Sequence, residues 1–357
     1  MANARTPSRN SFGAGSGSGR SSAISFRLGL IGTGIVGDLH LRAARNLPQV
    51  TVGAVCDIRA DAARSMAEEA GATAYTSHRE MLARERLDGV IITSPHNLHA
   101  EMTVDAAGAG VHVLVEKPMA TTVADCTAMI EACAAAGVTL AVGHVLRFSA
   151  HAHQAAALLA SGELGPVHAI NHRRTAHYER GSRPEWFFDP VVAGGGIVMN
   201  VGTHGLDRIQ WLGAGEVESV HAHLWKRGGL DIETDAIGVV GLSSGVKASF
   251  LFTSAGLPFT DETIVICERG SLRWSATEGT FVSEGGTERQ IAPGGDHPVA
   301  AFTEQLADFA DACTTGRPPL VGGDYGRSVV AAVLAIYESA GHGRPETVGS
   351  ALLRSTA

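Results

Sequence analysis

RLGLIGTGIVG, residues 27–37, decides how this chain is read. Residues 27–32 form a short apolar run of strand type, and a helical pattern begins at Ile35 and continues to about Asn46. Between them, Gly32-Thr33-Gly34-Ile35-Val36-Gly37 spells G-x-G-x-x-G. In a chain with 44 glycines that spacing alone is weak. Its setting strengthens it: a strand before, a helix after, and Asp57 closing the next strand-like run, TVGAVCD, 20 residues beyond Gly37. This is the pattern of a dinucleotide-binding turn. Gly32 permits the sharp turn, Gly34 lets a pyrophosphate approach the backbone, and Gly37 lets helix and strand pack closely. The helix N-terminus offers free N–H groups and the positive end of its dipole to phosphates. Asp57 is expected to accept hydrogen bonds from the adenine ribose hydroxyls. A 2′-phosphate would meet its carboxylate, so NAD is expected over NADP. Arg59 softens that preference, and Ile58 joins the expected cofactor contacts.

The same alternation continues downstream. Ala60–Ala70 is helical in pattern; LDGVIIT (87–93), VHVLVE (111–116) and VTLAVGH (138–144) read as buried strands, with helix patterns between them, one at 121–136. Strands alternating with helices of this length predict a doubly wound parallel sheet, an α/β Rossmann domain over 26–148. After about residue 150 the pattern changes. A helix pattern at 151–161 precedes GELGPVHAINHRRT, a turn and a strand, and GGG at 194–196 opens a helix to about Leu212. VESVHAHLW, AIGVVGL, VKASFLFT, TIVICE and SLRWSA then follow one another with no long helix between them. Residues 149–357 are therefore expected to form an α+β domain with a large, mostly antiparallel, open-faced sheet. Two closing helical segments, 299–314 and 324–341, can pack back on the first domain. Residues 1–25, rich in Ser, Gly and Arg, read as a disordered extension.

With 357 residues the chain has room for two cores. A formal charge of -8 argues against partners such as nucleic acid or anionic lipid. No apolar run reaches the roughly 18 residues of a membrane span. The five cysteines are odd in number and contain no C-x-x-C pair, the usage of reduced thiols in a cytoplasmic protein.

At Glu116-Lys117-Pro118 the reading becomes specific. An EKP directly after a Rossmann strand resembles the Gfo/Idh/MocA oxidoreductases, a family that includes glucose–fructose oxidoreductase, inositol dehydrogenases and sugar-nucleotide dehydrogenases. GLIGTGIVG, TSPHNLHAE (93–101), VHVLVEKPMA (111–120), VGHVLRF (142–148), GELGPV (162–167) and GGGIVMNVGTHGLD (194–207) stand in the family's order, so the resemblance spans nearly the whole chain from about residue 27. It implies that Thr93, Ser94, Pro95, Asn97, His99, Glu116 and Lys117 line the cofactor. It also implies that Lys117 is the active-site lysine, joined to Pro118 by a cis bond. Where the family usually shows Asp-x-x-x-His, this chain has Asn200-x-x-x-His204. Four residues on a helix share a face, so His204 can point at the same substrate group as Lys117. Asn200 cannot raise the basicity of His204 as a carboxylate could, although it can hold a substrate hydroxyl; this departs from a close match to inositol dehydrogenase. Lys117, Arg147, Tyr178, Trp186, Asn200 and His204 are the expected substrate contacts. For Arg147 a structural ion pair is equally open, and for Tyr178, Arg183 and Trp186 ordinary loop packing.

The resemblance implies NAD-dependent oxidation of a secondary alcohol on a small polyhydroxylated substrate. His204 would take the O–H proton while Lys117 hydrogen-bonds the same oxygen. The rivals are an aromatic cis-dihydrodiol dehydrogenase, an NAD-dependent glycosidase and a non-catalytic nucleotide-sensing regulator. His221-Ala-His223 and His151-Ala-His153 lack a third ligand in evident spacing, so no metal is expected. His40 reads as ordinary packing. By analogy, the C-terminal sheet would pair subunits into a homodimer or homotetramer.

Overall fold

A computed structural model describes residues 25–349 apart from 256, 296 and 297, so the extension expected over 1–25 lies, but for Ser25, outside the described residues. The first sheet has six parallel strands: β1 (Phe26–Ile31), β2 (Val50–Cys56), β3 (Thr73–Tyr75), β4 (Gly89–Ile92), β5 (His112–Glu116) and β6 (Leu140–Gly143). Their order is β3-β2-β1-β4-β5-β6. Strand order reverses between β1 and β4, and in such sheets ligands bind in the crevice at the carboxyl ends there. Leu28, Leu30, Val90, Ile91 and Leu114 fill the core. These strands are apolar on both faces because helices cover both. The closing helix Pro298–Thr315 adds Phe302, Leu306 and Phe309 to that core, and Phe309 meets the Phe26 ring edge-on at 5.9 Å.

The glycine turn leaves β1 at the switch point. Gly32 has φ +100°, and a Cβ there would lie 2.6 Å from Thr93 Oγ1. A Cβ on Gly37 would run into the Gly32 carbonyl, so the helix Ile35–Ala44 can press against the turn only without one. Around Gly34 nothing lies within 4 Å, and no side chain caps the helix it begins. The N–H groups of that first turn are left for a ligand or water.

The second sheet has nine strands. They are β7 (Val167–Thr175), β8 (Val217–Trp225), β9 (Asp235–Leu242), β10 (Lys247–Thr253), β11 (Asp261–Cys267), β12 (Ser271–Ser275), β13 (Gly279–Glu284), β14 (Thr287–Pro293) and β15 (Glu346–Thr347). The order is β14-β13-β12-β11-β7-β10-β9-β8-β15. All neighbours are antiparallel except β7 and β10. That parallel seam arises because the chain leaves β7 through the helix Thr203–Leu212, which packs under the sheet, before returning in hairpins. One face is buried by this helix and by Gly323–His342. The other face exposes Ile237, Val239 and Ile266.

Candidate active site

The cleft between the two sheets runs from Val36 of the glycine turn, past Thr93, Ser94 and Glu116, to Lys117, Asn200 and His204. β5 ends at Glu116, and the Lys117–Pro118 bond is cis. Lys117 Nζ donates to Asn200 Oδ1 at 3.0 Å and to the Asn200 carbonyl at 3.2 Å. Asn200 Nδ2 in turn donates to the Tyr178 hydroxyl at 2.7 Å. The amide is thereby fixed, its oxygen toward the ammonium and its nitrogen toward the phenol. A carboxylate at this position would instead accept from the Tyr178 hydroxyl, so the asparagine sets the direction of that bond.

The helix that carries these groups is not the regular one the sequence suggests. Val198–Gly202 is a π-helical turn, and α-helix begins only at Thr203. Asn200 and His204 sit on either side of that change, and both still line the cleft. The wide turn is held at its start by Glu233. Its carboxylate accepts from Gly196 N at 2.9 Å, from Val198 N at 3.0 Å and from the Tyr337 hydroxyl at 2.8 Å. The Tyr337 oxygen also accepts from Met199 N at 3.2 Å. The N–H groups that open a helix are thus satisfied from two distant segments. The Gly194–Gly196 run is needed because a side chain on Gly195 would strike the Tyr337 hydroxyl. Burial pushes the Glu233 carboxyl up, against the pull of the hydroxyl and the backbone N–H groups.

The electrostatics follow from burial. Burial lowers the Lys117 ammonium to about 8; Glu116 pulls the other way, and Arg174 and Arg183 add to the lowering. His204 falls well below the usual imidazole value, through burial and then Lys117 and Arg174. That lowering leaves the ring neutral near neutral pH, and its buried Nδ1 has no hydrogen-bond partner among the described residues. Glu116 is held by the buried His40, whose Nε2 lies 2.9 Å from Oε1, and by the backbone N–H of Lys117 at 3.2 Å. His40 is therefore part of the cleft's support rather than ordinary packing.

The other expected residues are distributed as follows. Asp57 accepts from Thr33 N at 3.0 Å, from Thr33 Oγ1 at 2.6 Å and from Arg59 N at 2.9 Å. Burial raises its pKa, but those hydrogen bonds prevail and hold it low. Ile58 is 87% exposed beside it, and Ile35 is 83% exposed at the turn. Asn97 is exposed, and neither it nor Pro95 lines the cleft. His99 is buried behind the cleft, with ring nitrogens 2.9 Å from the carbonyls of Ser94 and Pro118, so it braces two loops. Trp186 lines the cleft, stacked on Phe187 at 3.9 Å, with His96 against it at 4.9 Å. Tyr178 does not line the cleft and reaches the site through Asn200 and through Arg183, whose guanidinium lies over its ring. Arg147 does not line the cleft: its Nε donates to the buried Asp207 at 2.7 Å and its guanidinium lies 4.0 Å from the Tyr325 ring centre. The structural ion pair describes Arg147, and Asp207 is the interior partner it needs. His96 lies within the TSPHNLHAE motif but is not among the residues expected there, and Arg174, Glu233 and Tyr337 carry no local motif and are not legible in the sequence. His78, Glu101 and Asp105 cluster at the surface, where Arg79 already serves as their cation, 2.7 Å from Glu101 and 2.9 Å from Asp105.

Residues 26–144 match the family described as "Oxidoreductase family, NAD-binding Rossmann fold", and residues 152–273 match the GFO/IDH/MocA C-terminal domain. The chain is 31% identical to a D-xylose 1-dehydrogenase (NADP(+)) of Haloferax volcanii, over 87% of this chain and 96% of that one. It is 26% identical to a myo-inositol 2-dehydrogenase of Thermotoga maritima, over 84% and 92% respectively. Among solved structures, an aldose-aldose oxidoreductase from Caulobacter crescentus superposes with a TM-score of 0.81 at 27% identity, covering 90% of this chain and 99% of that one.

Proposed function

Because the chain belongs to the GFO/IDH/MocA family of NAD-binding oxidoreductases, we propose that it oxidises a secondary alcohol of a sugar, an inositol or a sugar derivative. The observation that carries this reading is the meeting of a lowered ammonium, a fixed amide and a neutral imidazole in one cleft that begins at the glycine turn. The turn fits a dinucleotide: the space around Gly34 is open and the adjoining helix start has no side-chain cap. Gly32–Gly37 would hold the pyrophosphate, Asp57 and Arg59 the adenosine ribose, and the exposed Ile58 the adenine face. Thr93, Ser94 and Glu116, which line the cleft, would meet the nicotinamide half. When bound, the nicotinamide supplies the hydride acceptor. His204 accepts the alcohol proton, Lys117 donates a hydrogen bond to the same oxygen, and Asn200 keeps the ammonium aimed.

We expect NAD over NADP, because a 2′-phosphate brought near the Asp57 carboxylate would meet like charge, while Arg59 tempers the preference. A panel of xylose, glucose, myo-inositol, sugar nucleotides and aromatic dihydrodiols, each with NAD⁺ and NADP⁺, tests the reading through absorbance of the reduced cofactor. Steady reduction with a polyol is expected; no reduction with any member would overturn it. The open sheet face, with Ile237 and Val239 on β9 and Ile266 on β11, serves to pair subunits into a dimer or tetramer, which sedimentation of Val239→Glu would test. Among the described residues no helix is long and apolar enough to cross a membrane, and all five cysteines are free. Both suit work in the cytoplasm.

A further inference from the structure

The wall of the cleft opposite the glycine turn is cationic beyond what its neighbours neutralise. Arg174, at the end of β7, lines the cleft with its Nη1 3.4 Å from Asp261 Oδ2. The same buried carboxylate is already taken by Arg208, whose Nη1 donates to Oδ1 at 2.7 Å and Nη2 to Oδ2 at 3.3 Å. Two guanidiniums therefore share one carboxylate. Arg183 also lines the cleft and has no carboxylate within salt-bridge distance among the described residues; its Nε donates to the His177 carbonyl at 3.2 Å and its guanidinium lies 4.6 Å from the Tyr178 ring centre. With Lys117 that makes three lining cations, against Glu116 as the one lining carboxylate, itself engaged by His40. This excess sits in a chain whose formal net charge is -8.

Poorly neutralised charge in a partly buried site is costly. An oxidised nicotinamide beside it would add a further positive charge. Guanidinium and ammonium groups also donate hydrogen bonds and accept none. A neutral polyol hydroxyl both donates and accepts, so a wall of donors suits it poorly. A group that only accepts suits it well. Trp186, stacked on Phe187, gives a flat apolar surface within the same cleft for the C–H face of a ring.

We propose that the substrate is an acidic sugar or polyol, whose carboxylate or phosphate sits against Arg174 and Arg183 while its ring lies on Trp186. This rests on the dehydrogenase reading in taking the cleft as the substrate's place. Carboxylate and phosphate offer the same acceptor chemistry, and the test separates them.

The test is calorimetric binding to the full chain loaded with NADH. Glucose, glucuronate and glucose 6-phosphate form one series; galactose, galacturonate and galactose 6-phosphate form a second. In at least one series an acid binds about tenfold or more tighter than its neutral parent, the size of a charge-assisted contact. Which acid wins names the group. Arg183→Met brings the ratio close to one and leaves NADH affinity unchanged, while Arg183→Lys keeps part of the ratio. The proposal is overturned if no acid outbinds its parent, or if Arg183→Met weakens acid and parent alike. It is also overturned if that variant loses NADH, which would assign the cations to the cofactor's phosphates. Binding preference without turnover would sink the dehydrogenase reading alone; turnover of neutral sugars without the preference would sink this one alone.

Discussion

One wall of the cleft is built mainly from backbone and the other from side chains. On the cofactor side the working surface is the turn Gly32–Gly37, shaped by glycines and held by Asp57 through Thr33. Its parts lie within a few tens of residues of one another. On the substrate side, Lys117 leans on Asn200, Asn200 on Tyr178, and the helix under them on Glu233 and Tyr337, which come from separate segments. The backbone wall can serve any member of a large family, because every dinucleotide has the same phosphates. The side-chain wall has to be specific, and it is tuned by burial and charge. Variants on the two walls should therefore fail differently: cofactor-side changes should move cofactor choice, and substrate-side changes should move turnover.

The largest effect is expected at Lys117. Lys117→Ala removes the donor to the reacting oxygen and should lower kcat by roughly 10²- to 10⁴-fold, the usual worth of such a group. NADH binding, read by fluorescence, should hardly change. Full turnover in this variant would remove the comparison along with the mechanism. Next is Glu233, a positioning residue that touches no reacting atom. Glu233→Ala strands the N–H groups of Gly196 and Val198, and each buried donor left unsatisfied costs about 1–3 kcal/mol. We expect kcat to fall about 10- to 100-fold with little change in KM, and Glu233→Gln, which keeps an acceptor, to recover much of the loss. If thermal stability falls but the kcat of the folded fraction does not, Glu233 supports the fold only.

On the opposite wall the effect should be smaller and different in kind. Asp57→Asn keeps an acceptor for Thr33 N while removing the charge that a 2′-phosphate would meet. The ratio of kcat/KM for NADP⁺ over NAD⁺ should rise about tenfold, since like-charge juxtaposition costs of the order of a kcal/mol or more. An unmoved ratio would mean that Arg59, which lies 3.3 Å from Asp57 through its Nε, already governs the choice.

The same contrast explains what could be read before any coordinates. The parallel sheet, the glycine turn, Asp57 and the strands from β8 to β12 follow from local periodicity and spacing. β3, with three residues, and the β13–β14 hairpin gave too little pattern to stand out. Lys117, Asn200 and His204 were legible through motifs and come together in the cleft. The π turn was not, because its cause is a carboxylate 37 residues away and a tyrosine 138 residues from Met199. Arg174 was missed for a like reason: an arginine in a strand looks solvated until the fold sets it beside Asp261 and Arg208. Arg147 shows the converse, since a motif position suggested a clamp and the fold supplied Asp207 instead.

The smallest effect lies in the pH profile, and it assigns the proton. Burial holds His204 far below neutrality, so the imidazole is already a free acceptor throughout the range in which the enzyme would work. Lys117, lowered to about 8 by burial, is the group that changes state just above neutrality. Its folded pKa lies below that of a free lysine, so the ammonium is present at neutral pH and is lost as pH rises through 8. If His204 takes the proton and Lys117 donates, kcat/KM should be flat near neutrality and halve close to pH 8. Arg183→Met should shift that alkaline limb upward, because one of the charges that lowers the ammonium is gone. Should the rate instead climb through pH 8 to a plateau, the free amine of Lys117 would be the acceptor. His204 would then be the orienting group, and the roles of two residues on the same wall would exchange without moving an atom of the other.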